Sequence, residues 1–372
     1  MPVFSDFELL HSLQRTLADQ RLTQPTEIQN RAIPLLLNGS SVVGVAETGG
    51  GKTLSYVLPV LHRLKTLEDQ GESIKAEAFP RAVVIVPTRE LGEQVSKVFK
   101  IFTHDTRLRV RTVLGGTTME IARRNIKGPF EVLVATPGRL VQLMDRKLVH
   151  LNDVRTLVFD EADQMLDQGF LNDANQIVAE CPVERQMALF SATVSKPIQE
   201  LIRTLFSNAE VIRSHGSHKI VSTLKTENKF IKDGKRLPVL EKVLNKSTEG
   251  GTLIFTNTRE QCDKVAEELD ALGHTHVIYR GEMDKVERRA NLKLFRDSKV
   301  GILISTDLAS RGLDVEHVGL VINYHLPKQI ENYIHRVGRT ARAGREGLVI
   351  NFVTERDKPL MKQIEEISKS KN

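Results

Sequence analysis

The chain has 372 residues, of which 40% are hydrophobic and 27% are charged, an ordinary composition for a folded protein. At roughly 150 residues per domain, this length suggests two domains. The composition excludes collagen, coiled coil and bulk disorder, and no stretch approaches the roughly 18 uncharged apolar residues that a membrane helix needs. The formal net charge of +6 permits a polyanionic partner but does not require one.

The cysteine content and the N-terminal segment bear on the compartment. Cys181 and Cys262 are the two cysteines and lie far apart in the sequence, so they indicate neither a disulfide framework nor a metal site. The first ten residues lack the basic segment of a secretory signal peptide. We therefore expect a cytoplasmic protein with two buried, unreactive thiols, and a monomer is the default expectation.

Two blocks of short β-branched runs alternate with longer amphipathic stretches, which predicts two doubly wound α/β domains with parallel sheets covered by helices on both faces. The predicted strands of the first block are 42–45, 82–86, 110–114, 132–135, 157–159 and 187–190. Those of the second block are 253–255, 277–279, 302–304, 320–323 and 348–353. The segment 213–223 has few large apolar residues, which predicts a linker between domains 1–212 and 224–372.

The strongest local signal is the segment 46–53, AETGGGKT, which lies directly between a predicted strand and a predicted helix. Successive glycines let backbone N–H groups converge on one anion, and the helix points its positive end at the same place. Lys52 would reach the β- and γ-phosphates of a nucleotide, and the Thr53 hydroxyl would ligate Mg²⁺. The strict pattern has Gly where this chain has Ala46, and a plain strand-to-helix loop is the alternative.

A pair of acids at the end of another apolar strand supplies the second half of such a site. Asp160 leaves the strand where Mg²⁺ would sit and can hold the ion through its water shell. Glu161, one residue later, is placed to polarise an attacking water as a general base. The alternative is an acidic N-terminus of the next helix, which favours Asp and Glu.

Residues 160–163 read Asp-Glu-Ala-Asp, and Ser-Ala-Thr follows at 191–193. With the motifs around them, the chain resembles the DEAD-box ATP-dependent RNA helicases of helicase superfamily two, from Phe4 to about Thr354. The resemblance implies two tandem RecA-like domains that bind RNA and ATP in the cleft between them. It implies hydrolysis of ATP to ADP and phosphate, coupled to local unwinding or remodelling of RNA duplexes or RNA–protein complexes.

The resemblance also implies roles for single residues. Gln29 would read the adenine edge and Phe4 would stack on the base. The residues implied to bind ATP are Phe4, Thr26, Gln29, Ala46, Glu47, Thr48, Gly49, Gly50, Gly51, Lys52, Thr53 and Asp314. The implied catalytic residues are Lys52, Asp160, Glu161 and two arginine fingers, Arg339 and Arg342. RNA contacts, mainly to the sugar–phosphate backbone, are implied for Pro87, Thr88, Arg89, Gly115, Gly116, Thr136, Gly138, Arg139, Thr256, Arg288 and Thr306. Coupling between the nucleotide and RNA sides is implied for Asp163, Ser191, Thr193 and His335.

Alternatives exist for individual members of this set. Taken alone, Phe4 would be an N-terminal core residue and Gln29 a helix-surface amide. Arg339 and Arg342 are three residues apart, so a helical turn would place both on one face. A dense arginine run is otherwise more often a solvated or nucleic-acid-binding face.

Seven positions depart from the usual residues of the family. They are Arg21 for Gly, Gly50 for Ser, Gly92 for Ala, Arg280 for His, Lys285 for Gln, His325 for Asp and Ala341 for Gly. Arg280 and Lys285 keep or add positive charge, which predicts altered RNA contact rather than lost binding. Ala341 is expected to lie in a helix, where an L-residue is unstrained. No departure removes a group that hydrolysis needs.

Three other functions fit parts of the pattern. A DNA helicase or translocase would share the fold, and an ATP-gated RNA clamp would share the site but turn over rarely. A small-molecule P-loop kinase would share only the phosphate loop and would ignore RNA. The target RNA, its pathway and any protein partner are not encoded in these motifs.

Overall fold

The computed structural model describes residues 2–47, 49–74, 76–214, 224–246, 249–281, 283–307, 315, 317–341 and 346–369. Contacts divide the chain into two compact units, Met1–Ser217 and His218–Asn372. Three predicted site residues, Thr48, Asp314 and Arg342, lie outside the described residues, and so does most of the predicted linker.

The first unit contains one parallel sheet. Its strands are β1 (Val42–Val45), β2 (Ala82–Ile85), β3 (Val110–Val113), β4 (Val132–Ala135), β5 (Thr156–Phe159), β6 (Gln186–Ser191) and β7 (Glu210–Arg213). They pair in the order β3-β4-β2-β5-β6-β1-β7. Its helices are α1 (His11–Asp19), α2 (Glu27–Leu37), α3 (Lys52–Asp69), α4 (Arg89–Thr106), α5 (Met119–Asn125), α6 (Pro137–Asp145), α7 (Ala162–Asp167), α8 (Leu171–Glu180) and α9 (Lys196–Leu205), with a 3-10 turn at Phe4–Asp6.

The second unit repeats the plan with six strands. They are β8 (Leu224–Phe230), β9 (Gly251–Thr256), β10 (His276–Tyr279), β11 (Ile302–Thr306), β12 (Val318–Asn323) and β13 (Gly347–Val353), in the order β10-β11-β9-β12-β13-β8. The described helices are α10 (Leu237–Leu244), α11 (Arg259–Ala271), α12 (Lys285–Arg296), α13 (Ile330–Val337) and α14 (Lys358–Lys369), with a 3-10 turn at Glu355–Asp357. Both sheets confirm the predicted α/β class.

Each sheet is covered on both faces, because its central strands are buried along their whole length. In β2, Ala82 and Val84 join one hydrophobic cluster, whereas Val83 and Ile85 join the cluster on the opposite face. Side chains alternate between the two faces of a strand. The near-continuous apolar runs in the sequence therefore correspond to two cores for one sheet. The second unit has its own pair of clusters.

Two strands, β7 and β8, are absent from the sequence prediction. Both lie at an edge of their sheet, and most residues of both strands are exposed or partly exposed. An edge strand needs no continuous apolar run, so its pattern resembles a loop. Arg213, assigned by the sequence to the linker, is instead the last residue of β7. The remainder of the predicted linker stays a prediction.

The two cysteines behave as expected. Both are free and buried, and burial raises the pKa of the Cys181 thiol to about 12 and also raises that of Cys262. Within the part of the chain that the structure describes, no helix has the length and apolar content to cross a membrane.

Candidate active site and RNA-facing segments

The order of strands gathers the predicted ATP segments on one half of the first sheet. β5, β6 and β1 are neighbours, and β3, β4 and β2 are neighbours on the other half. The chain leaves the first group into 160–163, 191–193 and 46–53. It leaves the second group into the predicted RNA-contacting segments. Since the carboxyl ends of parallel strands share one edge of a sheet, both sets lie side by side there.

The phosphate loop connects β1 to α3. Gly49 and Gly51 have φ of 89° and 88°, a backbone region that glycine adopts without a steric cost. Lys52 begins α3 and is buried, and its Nζ donates to Ala46 O at 2.8 Å. The lysine therefore folds back over the loop and places its positive charge inside the curve of the backbone.

Residues of the predicted Q motif hold this loop from the side. Thr26 Oγ1 donates to Gly50 O at 2.7 Å, and Gln29 Nε2 donates to Gly51 O at 2.9 Å. Gln29 Oε1 accepts from the Thr26 backbone N–H at 2.8 Å. Gln29 is buried, at 3% exposed, so it is not the helix-surface amide of the alternative interpretation. The start of α2 is thereby bound to the phosphate loop.

Phe4 lies in the hydrophobic core. The side chain is 3% exposed and meets Phe7 edge-on, with 5.9 Å between ring centroids. This placement matches the alternative of an N-terminal core residue. Stacking of Phe4 on adenine stays a prediction, and the buried ring gives it no support.

Asp160 is buried, and each of its carboxylate oxygens has a fixed donor. Oδ1 accepts from the Glu161 backbone N–H at 3.0 Å, and Oδ2 accepts from Tyr56 Oη at 2.7 Å. Burial and the charge of Glu161 raise the pKa of Asp160 to about 6, against the opposing effects of Lys52 and of these hydrogen bonds. A positive ion beside this carboxylate would favour its charged form.

Glu161 has a left-handed backbone, with φ 51° and ψ 52°. A residue with a side chain pays a steric cost in this region, and such strain clusters at functional sites. The Glu161 carboxylate accepts a hydrogen bond from the buried side chain of Gln164. Backbone and side chain of the candidate base are therefore both fixed.

Sequence reasoning missed two residues of this site, Tyr56 and Gln164. Tyr56 lies one helical turn after Lys52, so the i, i+4 spacing on α3 was the available signal. Gln164 lies three residues after Glu161, at the i, i+3 spacing. Neither pattern is specific, because most helices contain polar residues at these distances from one another.

The last acid of the Asp-Glu-Ala-Asp segment contacts the predicted coupling segment. Asp163 Oδ2 accepts from the backbone N–H groups of Ala192 and Thr193 at 3.2 and 3.0 Å, and from Thr193 Oγ1 at 3.0 Å. Ser191 Oγ donates to Thr193 O at 2.8 Å. One carboxylate oxygen of Asp163 thus connects the segment that follows β5 to the segment that follows β6.

Two of the three predicted RNA-contacting segments of the first unit are hydrogen-bonded to each other. Gly115 N donates to Thr136 Oγ1 at 2.9 Å, and Arg139 Nη2 donates to Thr117 O at 2.5 Å. Thr88 caps α4, accepting from Leu91 N at 3.3 Å. The remaining predicted contacts, Pro87, Arg89, Gly116 and Gly138, belong to the same three segments.

The predicted RNA contacts of the second unit have mixed placements. Thr306 ends β11 and is partly exposed. Arg288 lies on α12 with its guanidinium 5.5 Å from the Tyr279 ring centroid. Thr256, in contrast, is buried, with its hydroxyl 2.9 Å from Cys262 Sγ. Contact of the Thr256 side chain with RNA therefore stays a prediction without structural support.

Arg336 is a second-unit residue that sequence reasoning left without a role. It is 1% exposed and donates to both carboxylate oxygens of Asp307, to Asn257 Oδ1, to Asn323 Oδ1 and to His325 O. These partners follow or end three neighbouring strands, β9, β11 and β12. A buried guanidinium therefore fixes the ends of those strands to α13.

The segment after α13 corrects one expectation. α13 ends at Val337, and Ala341 has φ 56°. Ala341 is therefore not helical, whereas the predicted helical turn from Arg339 to Arg342 stays a prediction because Arg342 lies outside the described residues. Arg339 is buried, and its Nε donates to the carbonyl of His335 at 3.2 Å.

The donor set suits a magnesium ion that arrives with a nucleotide. Thr53 and Asp160 offer one hydroxyl and one carboxylate, and no group of three or more His, Cys, Asp or Glu ligands occurs among the described residues. Mg²⁺ usually keeps several waters and binds one or two carboxylates together with substrate phosphates. The residues present fit that kind of site and do not form a dedicated metal cage.

Comparison with known families identifies two matching family models. The DEAD/DEAH box helicase model matches residues 26–201, and the helicase conserved C-terminal domain model matches residues 234–344. Among curated proteins, ATP-dependent RNA helicase CshA of Listeria monocytogenes is 34% identical over 100% of this chain and 70% of its own length. DEAD-box ATP-dependent RNA helicase RhpA of Helicobacter pylori is 35% identical over 98% of this chain and 73% of its own length.

Solved structures agree with these matches. Saccharomyces cerevisiae Dbp5 bound to RNA and ADP BeF3 is 28% identical, with a TM-score of 0.86, over 98% of this chain and 93% of that chain. A DEAD box protein from Methanococcus jannaschii is 30% identical, with a TM-score of 0.56, over 99% of this chain and 97% of that chain.

Proposed function

Since the chain belongs to the family of DEAD-box ATP-dependent RNA helicases, we propose that it binds RNA and uses ATP hydrolysis to remodel RNA duplexes or RNA–protein complexes. The observation that carries this proposal is the junction at Asp163. The candidate base Glu161 lies two residues before Asp163, whose carboxylate accepts the hydrogen bonds from Ala192 and Thr193. A single short segment therefore joins the candidate base to the predicted coupling contact.

The nucleotide would be held by the phosphate loop. Lys52 would exchange the carbonyls of Ala46 and Glu47 for phosphate oxygens, because a charged partner makes a stronger hydrogen bond than a neutral one. The backbone N–H groups of the loop and the start of α3 would add further donors. Gln29 donates to Gly51 O through Nε2, so adenine bound at Gln29 would also affect the position of the phosphate loop.

Thr53 and Asp160 would hold the magnesium ion, in part through water. When bound, the ion neutralises charge on the β- and γ-phosphates. Glu161 would accept a proton from the attacking water, while the amide of Gln164 keeps its carboxylate in one orientation. Arg339 and Arg342 would stabilise the charge on the transferred phosphoryl, and Asp314 would contact the ribose.

RNA would be bound through its sugar–phosphate backbone. Thr88, Arg89, Gly115, Thr136 and Arg139 offer hydroxyls, backbone N–H groups and guanidinium groups at one sheet edge, which suit phosphates and 2′-hydroxyls better than base edges. Little sequence preference is therefore expected. The cytoplasmic location and the monomeric state stay predictions.

The test is ATP hydrolysis by the whole chain with Mg²⁺, alone and with single-stranded RNA or DNA of equal length. RNA should stimulate turnover and DNA should not. Glu161→Gln should abolish the stimulated rate while ADP still binds. Stimulation by DNA would favour a translocase of the same superfamily, and no stimulation by either would favour a clamp. Unchanged turnover in Glu161→Gln would remove Glu161 as the base.

A further inference from the structure

Tyr56 is a buried tyrosine whose hydroxyl contacts one of the candidate magnesium ligands, Asp160. Its ring is 0% exposed and packs with centroid distances of 6.4 Å to Phe99 and 5.4 Å to Phe190. The phenol Oη lies 2.7 Å from Asp160 Oδ2. A rigid ring thus holds this hydroxyl against the carboxylate.

The chemistry of these two groups determines the direction of their hydrogen bond. Ionised Asp160 can only accept, so the Tyr56 O–H must donate to it. The buried phenol therefore fixes the position of Asp160 Oδ2.

Two hydrogen bonds leave the Asp160 carboxylate ready for a cation. Asp160 uses one oxygen for Tyr56 and the other for Glu161 N. About two of its four acceptor positions therefore remain. The carboxylate plane is fixed by donors on both sides.

We propose that Tyr56 is a positioning residue that orients Asp160 for the magnesium–nucleotide complex. The inference rests on the proposed function of that site and adds a residue to it. Groups that hydrogen-bond to metal ligands set ligand orientation, and their loss typically weakens metal affinity about 10–100-fold. Tyr56 acts through Asp160 and need not touch the nucleotide.

The first experiment uses Tyr56→Phe in the complete chain. Phenylalanine fills the same space between Phe99 and Phe190 and removes only the hydroxyl. Binding of a fluorescent ADP analogue is titrated at increasing Mg²⁺ and again in EDTA. We expect the half-saturating Mg²⁺ concentration to rise about tenfold, while binding in EDTA is unchanged. A shift of less than twofold would overturn the proposal.

The control is Tyr333→Phe, which removes another buried hydroxyl. Tyr333 is 0% exposed, and its Oη accepts from Asn351 Nδ2 at 3.2 Å in the second unit. This variant loses the same atom from a comparable core and should keep the wild-type Mg²⁺ dependence. An equal shift in both variants would indicate a general loss of packing and would reject a specific role of Tyr56.

A double variant separates positioning from packing. If Tyr56 acts through Asp160, Tyr56→Phe should add little to the Mg²⁺ defect of Asp160→Asn. If it acts through packing alone, the two effects should add. Additive defects would therefore overturn the proposal.

A measurement on the wild-type chain covers the case in which Tyr56→Phe fails to fold. The chain has four tyrosines, so tyrosine labelled with ¹³C at Cζ gives few signals, assignable by Tyr→Phe changes at the other three positions. Addition of Mg²⁺ to the ADP complex should shift the Tyr56 signal, and no shift would overturn the inference. A protein without RNA-stimulated hydrolysis that still shows this shift would contradict the proposed function only.

Discussion

Arg21 occupies a backbone position that suits glycine. It follows α1 with φ 56°, and the Leu22 N–H donates to Leu17 O while the Arg21 N–H donates to Ala18 O. These two bonds form a Schellman motif, whose left-handed residue is usually Gly. The usual glycine of the family at this position therefore has a conformational reason, and the same reason applies to Ala341.

We expect Arg21→Gly to raise the free energy of unfolding of the first unit by about 1 kcal/mol, because it removes the steric cost of a left-handed residue. The side chain is exposed, so little packing is lost. Arg15→Gly is the control, since it makes the same charge change inside α1 and should lower stability by about 1 kcal/mol. Urea unfolding of both variants measures the difference, and a loss of stability in Arg21→Gly would contradict the prediction.

His325 makes the second unit sensitive to acid. Burial lowers its pKa from 6.5 to about 4, with further lowering by Arg236, Arg336 and Lys264 and an opposing effect of Asp357. Between these values, the unfolded chain binds a proton that the folded chain does not. Stability therefore falls as the pH decreases from 6.5 towards 4, and it is retained above pH 6.5.

We expect His325→Gln to flatten the decline of stability across that pH range, because glutamine does not titrate. Tyrosine fluorescence is a suitable signal, since the chain has no tryptophan and Tyr279, Tyr324 and Tyr333 are three of its four tyrosines. The control is His104→Gln, at an exposed position of the first unit, which should keep the decline. An unchanged slope in His325→Gln would assign the acid sensitivity to other groups.

At the scale of elements, α2 stabilises the phosphate loop from outside. Thr26→Val removes the hydroxyl that donates to Gly50 O. We expect affinity for ADP to fall about fivefold, as for the loss of one hydrogen bond of about 1 kcal/mol, with adenine preference over guanine unchanged. Isothermal titration measures both. The control Thr118→Val removes the capping hydroxyl of α5 and should leave ADP affinity intact.

How well each element could be predicted follows from its burial. Each predicted strand corresponds to an observed one, and most of these strands are buried along their whole length. β7 and β8 were not predicted, because most of their residues are exposed and do not form an apolar run. The end of α13 was not predicted, because an alanine in the sequence does not indicate the positive φ that Ala341 adopts.

Within the candidate site, the sequence could predict only those residues that belong to recognisable motifs. Lys52, Asp160 and Glu161 were recognisable because their chemistry requires those residue types in that order. Tyr56 and Gln164 were not, because each acts through a contact that depends on how α3 and α7 pack. The hydrogen bonds of Gln29 to Gly51 likewise required coordinates.

At the scale of the whole molecule, each unit has its own hydrophobic clusters. We therefore expect the fragment 1–217 to fold and bind ADP. Its hydrolysis rate with RNA should fall about 10³-fold or more, because Arg339 lies on the second unit. Circular dichroism, ADP titration and phosphate release measure the three properties. Full RNA-stimulated turnover by the fragment would remove the arginines of the second unit from the mechanism.

The order of strands in the first sheet also bears on how such a protein diversifies. The loops after β3, β4 and β2 occupy one contiguous half of the edge, and those after β5, β6 and β1 occupy the other. The loops after β3 and β4 are separated from the loops after β5 and β1 by at least one strand, whereas the loop after β2 adjoins Asp160, whose N–H donates to Ile85 O at 2.9 Å. We expect descendants to acquire new RNA preferences most readily at the loops after β3 and β4, while inheriting the hydrolytic chemistry unaltered.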